Sequence, residues 1–185
     1  MEWWSEFAQV SLEGCMAPAL RIAAVGNDRE RYRDLLLLAD EQWDMVELYL
    51  HRGEMFAAHA EDEPRTKADS ALVPDRALGC IIVAGEGVDE RGLRIAEVKS
   101  LAVDPVHQRS GIGRALLEFA AQHAACEYDV LRVGTGDSPL TVPFYEACGF
   151  ARSHVLPNFF IENYDHPIVE AGVQLKDMVM LERRL

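Results

Sequence analysis

A chain of 185 residues with 49% hydrophobic and 26% charged side chains is long enough for one well-buried core and short for two. Its net charge of −13 excludes general nucleic-acid binding, which rests on Lys and Arg neutralising phosphates; the same charge suits a cationic partner as well as plain solubility. No apolar run nears the roughly 18 residues of a membrane span, and Cys15, Cys80, Cys126 and Cys148 lack paired or metal-type spacing. With no basic start at the N-terminus, this points to a reduced, cytoplasmic protein without a membrane partner.

In chain order, residues 1–18 read as an extension and residues 19–185 as the domain. Trp3, Trp4 and Phe7 suit packing on the domain or on a second copy in a homodimer, and the residues do not choose between these. Residues 21–25 are a short apolar strand, Asn27 and Asp28 a helix-start signal, and residues 32–39 an apolar helical run. Asp40 or Asp44 opens a second helix through Trp43, Val46 and Leu50, which Gly53 stops. Residues 54–60 and 77–84 read as strands, the second apolar enough to be buried on both faces. The charged stretch 61–76 between them reads as a mobile loop, and residues 85–92 as a turn.

Residues 96–119 change their hydrophobic period midway. The first part is a strand that Asp104 and Pro105 stop; the second, with Ile112, Leu116, Phe119 and Ala120 on one face, is a helix. The join is Gln108-Arg109-Ser110-Gly111-Ile112-Gly113. Glycines there can aim successive N–H groups into one concavity at a helix N-terminus, which makes an anion site, and Arg109 and Arg114 add charge. A dinucleotide fingerprint fails because Leu116 stands where a third glycine is needed, and no Walker Gly-Lys-Ser/Thr occurs. A turn that only joins strand to helix is the plainer reading. Residues 130–133 are then a strand, 134–139 a loop, 140–148 a helix ended by Gly149, and 151–160 and 174–185 closing strands. Helices interleaved with strands whose neighbours are antiparallel at both ends describe an α/β chain with an α+β mixed sheet.

Gln108-x-x-Gly111-x-Gly113 after Leu101-Ala102-Val103, followed by Pro143-Phe144-Tyr145 through Gly149-Phe150, resembles the acetyl-CoA loop and later helix of the GNAT N-acetyltransferase superfamily. The tail, with Phe159-Phe160, Asn163-Tyr164, Pro167-Ile168 and Asp177-Met178, is similar to that of a bacterial subgroup. The resemblance implies a mostly antiparallel central sheet, flanked by helices, with a parallel pair at the coenzyme cleft. It implies an enzyme that moves an acetyl group from acetyl-CoA to a primary amine by direct attack, with acetyl-CoA as cosubstrate. A protein lysine or N-terminal acetyltransferase, or a non-catalytic acyl-CoA-binding module, is the alternative.

Carried onto this sequence, the resemblance implies that backbone groups of Arg109, Ser110, Gly111, Ile112, Gly113 and Arg114 bind the pyrophosphate. The strand edge at Leu101, Ala102 and Val103 would pair with the pantetheine arm, with the Leu101 N–H as oxyanion donor. Tyr145 falls on the tyrosine near the sulfur, where a phenol can protonate the departing thiolate; a core aromatic is the plainer reading. Glu97 falls on the strand position that supplies a general base in some members, or it only meets Lys99. Ser138 stands where the family often has a pantetheine-binding asparagine. Phe159, Phe160 and Tyr164, beside Glu162, Asp165 and Glu170, would enclose a small cationic amine; a solvated loop with its aromatics in the core is the plainer reading. Cys148 is read as packing rather than nucleophile, and the six histidines show no metal-ligand spacing, so no metal is expected.

Overall fold

The computed structural model describes residues 20–61 and 77–185. The proposed extension at 1–18, and all but the first residue of the loop read at 61–76, lie outside them. The chain runs β1 (Leu20–Val25), α1 (Arg33–Ala39), α2 (Trp43–Glu47), β2 (Glu54–Ala60), β3 (Gly79–Val88), β4 (Arg94–Val103), α3 (Ile112–Ala124), β5 (Val130–Gly136), α4 (Thr141–Ala147), β6 (Ala151–Leu156), α5 (Phe159–Asn163), β7 (Val169–Glu170), β8 (Val173–Gln174) and β9 (Met178–Arg184). A seven-stranded sheet has the order β1-β2-β3-β4-β5-β9-β6. Its pairs are antiparallel except β4 with β5. The expected mixed sheet with one parallel pair is therefore present.

Alternation along β3 and β4 divides the core between the two faces. Ile81, Val83, Ala96 and Val98 pack with Leu116, Leu117, Ala120 and Ala121 of α3. Cys80, Ile82 and Ala102 pack with Leu36 of α1, Val46 of α2 and Tyr49 and Leu50 beyond it. A register shift opposite Ile82 and Val83 leaves Lys99 unpaired in β4. Such a bulge changes strand parity: upstream of it Ala96 and Val98 face α3, and downstream Leu101 and Val103 do.

Parallel pairing of β4 and β5 covers only Ile95–Val98 against Val130–Val133. The amino ends are clamped by the Asp129 carboxylate, which accepts from the Arg94 N–H at 2.9 Å and from its guanidinium at 3.1 and 3.2 Å. Arg132 and Glu182 add an ion pair at 2.8 Å between β5 and β9. At the carboxyl ends the two strands part: β4 stays paired with β3 as far as Val103, and β5 with β9 as far as Gly136.

Three expectations are corrected. The residues read as a turn at 85–92 begin inside β3, and the turn proper closes at Asp89, whose carboxylate accepts N–H bonds from Arg91 and Leu93 at 2.9 and 3.0 Å. The loop expected from residue 134 begins later, because β9 pairs with β5 through Gly136. Residues 151–160 are not one strand: Asn158 takes φ 57°, and Phe159 to Asn163 coil into α5. This lets Phe160 join Ile168 and Leu175 in a small satellite core, which burial favours over an extended, exposed path.

The β7–β8 hairpin turns on Ala171 (φ 51°) and Gly172 (φ 77°). Two consecutive positive φ values suit Asn-Gly, and alanine there carries a left-handed penalty of roughly 1–2 kcal/mol. Ala171→Asn is expected to stabilise the fold by about 0.5–1 kcal/mol, measured as a higher urea midpoint at unchanged slope; a lower midpoint counts against this turn.

Candidate active site

Where β4 and β5 part, a cleft of ≈ 410 Å³ opens. Its floor is Lys99 to Val103 of β4 and Val133 to Gly136 of β5; one wall is Asp40 and Glu41 at the end of α1, and the other is Phe160, Tyr164, Ile168 and Glu170. Tyr145 of α4 and Gln108 complete the lining. The Asp104 N–H bonds to the Leu78 carbonyl on the β3 side at 2.9 Å. Two-residue alternation then turns the Ala102 N–H the same way and those of Leu101 and Val103 into the cleft. The Val103 carbonyl on that edge accepts from the Gln108 side chain at 3.3 Å.

The loop into α3 is held from both sides. The Asp104 carboxylate accepts from the Val106 N–H at 3.0 Å, and the Ser110 hydroxyl donates to the His107 carbonyl at 2.5 Å. Arg109 at φ 60° and Gly111 at φ 92° alternate with ordinary backbone, the pattern that gathers N–H groups into an anion nest. No side chain caps the start of α3, so its first N–H groups keep their capacity for a ligand. Arg109 and Arg114 are exposed beside it.

Tyr145 is buried against Phe144 and Phe150, with ring centroids at 5.1 and 5.8 Å. Burial, then the nearby Cys148 and Glu170 charges, raise its pKa, so the phenol keeps its proton at neutral pH. Glu97 does not line the cleft: its carboxylate accepts from Lys99 at 2.8 Å, and Lys99 also pairs with Glu86 at 2.8 Å. Ser138 is buried, and its Oγ accepts from the N–H groups of Leu140 and Thr141 at 3.1 and 3.3 Å. Its hydroxyl is thus engaged in capping α4.

Of the six residues expected at the acceptor, Phe160, Tyr164 and Glu170 line the cleft. Phe159 packs behind them in the satellite core, while Glu162 is exposed and Asp165, its side chain 77% exposed, pairs with His166. The carboxylates inside the cleft are Asp40, Glu41 and Glu170; of these, sequence reasoning took Asp40 for a helix-start signal and gave Glu41 no role. Asp40 accepts from the Tyr164 hydroxyl at 2.9 Å and from Tyr49 at 3.4 Å. Burial raises its pKa while both tyrosine hydrogen bonds and the Gln42 N–H oppose the rise. The available signal was its place between two predicted helices.

A family model for the acetyltransferase (GNAT) domain matches residues 52–152, more than half of the chain. The chain belongs to the GNAT acetyltransferase family. It is 32% identical over 164 residues to the uncharacterized N-acetyltransferase YvbK of Bacillus subtilis (strain 168), spanning 88% of this chain and 94% of that protein. A GNAT acetyltransferase from Elizabethkingia anophelis, solved with acetyl-CoA bound, superposes with TM-score 0.75 at 28% identity over 90% of this chain and 98% of that one. A Bacillus subtilis acetyltransferase in complex with CoA superposes with TM-score 0.72 at 32% identity over 90% and 99%. As a GNAT acetyltransferase the protein is an acyltransferase enzyme, and among its described residues no helix is long and apolar enough to cross a membrane.

Asp40 carries a consequence for stability. Its folded pKa lies above the ordinary 3.8, so the native state holds that proton more tightly than the unfolded chain. The contribution is fully present below that value and is lost as pH rises through the folded pKa. Asp40→Asn does not ionise. Its unfolding free energy relative to the parent is expected to grow between about pH 4 and about pH 7 in urea melts; a constant difference over that range argues against a buried, destabilised carboxylate.

Proposed function

We propose that this GNAT enzyme transfers the acetyl group of acetyl-CoA to the primary amine of a small cationic acceptor by direct attack. The observation that carries the reading is the parted β4 and β5 edges, with the Arg109–Gly111 nest at one end and Tyr145 inside. Two free strand edges receive an extended, amide-bearing arm, and the nest receives its pyrophosphate. The coenzyme-bound relatives at 28% and 32% identity support this.

The chemistry divides among this chain's own groups. Backbone N–H groups from Arg109 to Arg114 hold the pyrophosphate, and the Leu101 N–H faces the oxygen on which charge develops, a donor whose loss typically costs about 10²–10³ in rate. Tyr145, its proton secured by burial, supplies that proton to the thiolate as the bond to sulfur breaks. The acceptor end carries three carboxylates and the aromatic faces of Phe160 and Tyr164. That lining suits an ammonium group on a short alkyl chain better than an anionic or purely apolar acceptor. Enclosure by α1 and α5 favours a small molecule over a peptide laid across an open groove.

At roughly 100 times its Kd, acetyl-CoA is expected to add about 2.7 kcal/mol, which for a chain of this size is about 5–10 °C in Tm. Gly111→Val with Gly113→Val should remove the shift, because a β-branched residue resists φ 92° at Gly111 and a side chain at Gly113 grows into Val103 and Phe144 from 3.5 Å. An undiminished shift in the double variant sinks the loop assignment.

Tyr145→Phe is expected to lower kcat by about 10²–10⁴ with the acetyl-CoA shift retained. A panel of polyamines, aminoglycosides and lysine peptides, followed by free-thiol release at two salt concentrations, decides the acceptor. Small cations should show a kcat/KM that falls with salt. Activity confined to peptides selects a protein acetyltransferase, and coenzyme binding without turnover on any amine selects a binding module.

A further inference from the structure

Resting on that reading, we propose that Asp40 is the carboxylate that receives the acceptor's ammonium group and takes its proton before attack. Three observations carry this. Asp40 lines the cleft on the wall facing Phe160, Tyr164 and Glu170, where an acceptor would stand between it and the β4 edge. Its two oxygens are oriented by hydroxyls from two separate segments: Oδ1 accepts from Tyr164 at 2.9 Å and Oδ2 from Tyr49 at 3.4 Å. Beneath them, on β4, lies Ser100, 5% exposed, whose buried hydroxyl stands against that of Tyr49 and helps fix its direction.

An oriented, half-buried carboxylate on the wall of a cleft, held by neutral hydroxyls, lacks a counter-charge. A primary ammonium group supplies one, donating an N–H to Asp40. Burial lifts the Asp40 pKa toward that of an amine which the cleft desolvates, and two groups brought closer in pKa exchange a proton more readily. Both tyrosines remain protonated beside it, because burial and then the Asp40 charge raise their pKa values. Glu97, by contrast, is neutralised by Lys99 and stands outside the lining.

The step balances. One ammonium proton passes to Asp40 and leaves to solvent at the end of the cycle. The freed nitrogen lone pair forms the bond to the thioester carbonyl carbon, and the carbon–sulfur bond breaks with its electrons on sulfur. A second proton from nitrogen replaces the one that Tyr145 gives the thiolate, and the third stays on the amide. One proton is released per turnover.

The charged and titratable groups facing Asp40 are Glu41, which has His166 at 3.6 Å, then Tyr49 and Tyr164; Lys99 and Glu170 share the cleft. The Tyr164 hydrogen bond lowers the Asp40 pKa, so removing it must move that pKa up. The test measures kcat/KM against pH for the parent, Asp40→Asn, Tyr164→Phe and Glu97→Gln on the best amine of the panel, with the acetyl-CoA Tm shift recorded for each. Asp40→Asn should lose about 10²–10⁴ in kcat/KM and the acid limb of its profile while keeping the coenzyme shift. Tyr164→Phe should keep an acid limb displaced to higher pH, which a merely structural role would not produce. Asp40→Asn turning over like the parent, or an acid limb that only Glu97→Gln abolishes, overturns the proposal alone. A parent that binds acetyl-CoA yet acetylates no amine overturns the functional reading and the proposal with it.

Discussion

Parallel strands β4 and β5 hydrogen-bond over four residue pairs, Ile95–Val98 against Val130–Val133, and then part, which leaves two sheet edges inside the molecule. Interior N–H and C=O groups without partners are costly, and open edges are ordinarily covered. Here the Gln108 side chain covers one carbonyl, that of Val103, and the rest of the β4 edge faces the cleft. The separation is sustained by asymmetric clamping: Arg94 with Asp129 holds the amino ends, while β3 and β9 pull the carboxyl ends apart by continuing to pair with them. The Arg109–Gly111 nest, Tyr145 and both walls of the cleft take their positions from this opening.

Within it, burial acts on acids of different strength to different effect. It raises the pKa of Tyr145, Tyr49 and Tyr164, which were already protonated at neutral pH, and so secures them as donors. It also raises that of Asp40, which is ordinarily ionised, and so moves it toward use as a base. Tyr164 and Asp40 are 124 residues apart in sequence, and their hydrogen bond ties the end of α1 to the segment after α5. A second tie, the Asp165 N–H to the Gln42 side chain at 3.1 Å, crosses the same gap. The acceptor wall is thus assembled from the two ends of the domain, with the sheet between them as template.

Much of this was legible in the residues. The change of hydrophobic period after Val103, with Gly111 and Gly113 at the join, located the turn into α3, while Tyr145 was singled out only by the family resemblance. Strand β2 was readable residue for residue because Glu54 and Ala60 bound an apolar run between turn signals. The C-terminal excursion was not: α5 exists because Phe160, Ile168 and Leu175 meet one another, a long-range contact that no local period encodes. Of the carboxylates assigned there, Glu162 and Asp165 lie on the solvent side of that small core and Glu170 lines the cleft, which Asp40 also enters because Asp40 ends α1 and Tyr164 reaches across to it.

The bulge at Lys99 explains why the general-base position was hardest to read. In an unbroken strand Glu97 and Leu101 share a face, so a reader counting by two would place a base beside the oxyanion donor. One extra residue reverses the parity between them. Ala84, the β3 partner of Glu97, and Ile82, the partner of Ser100, are both even positions of an unshifted β3, so Glu97 and Ser100 share the α1 face and Leu101 turns to α3. The same extra residue places the Lys99 ammonium where it reaches both Glu97 and Glu86 at 2.8 Å. A carboxylate already paired with a cation has less charge to offer an arriving ammonium group than one held by neutral hydroxyls. Asp40 is of the second kind. Its partners fix its direction without cancelling its charge, and of the two carboxylates it is the one on the wall of the cleft.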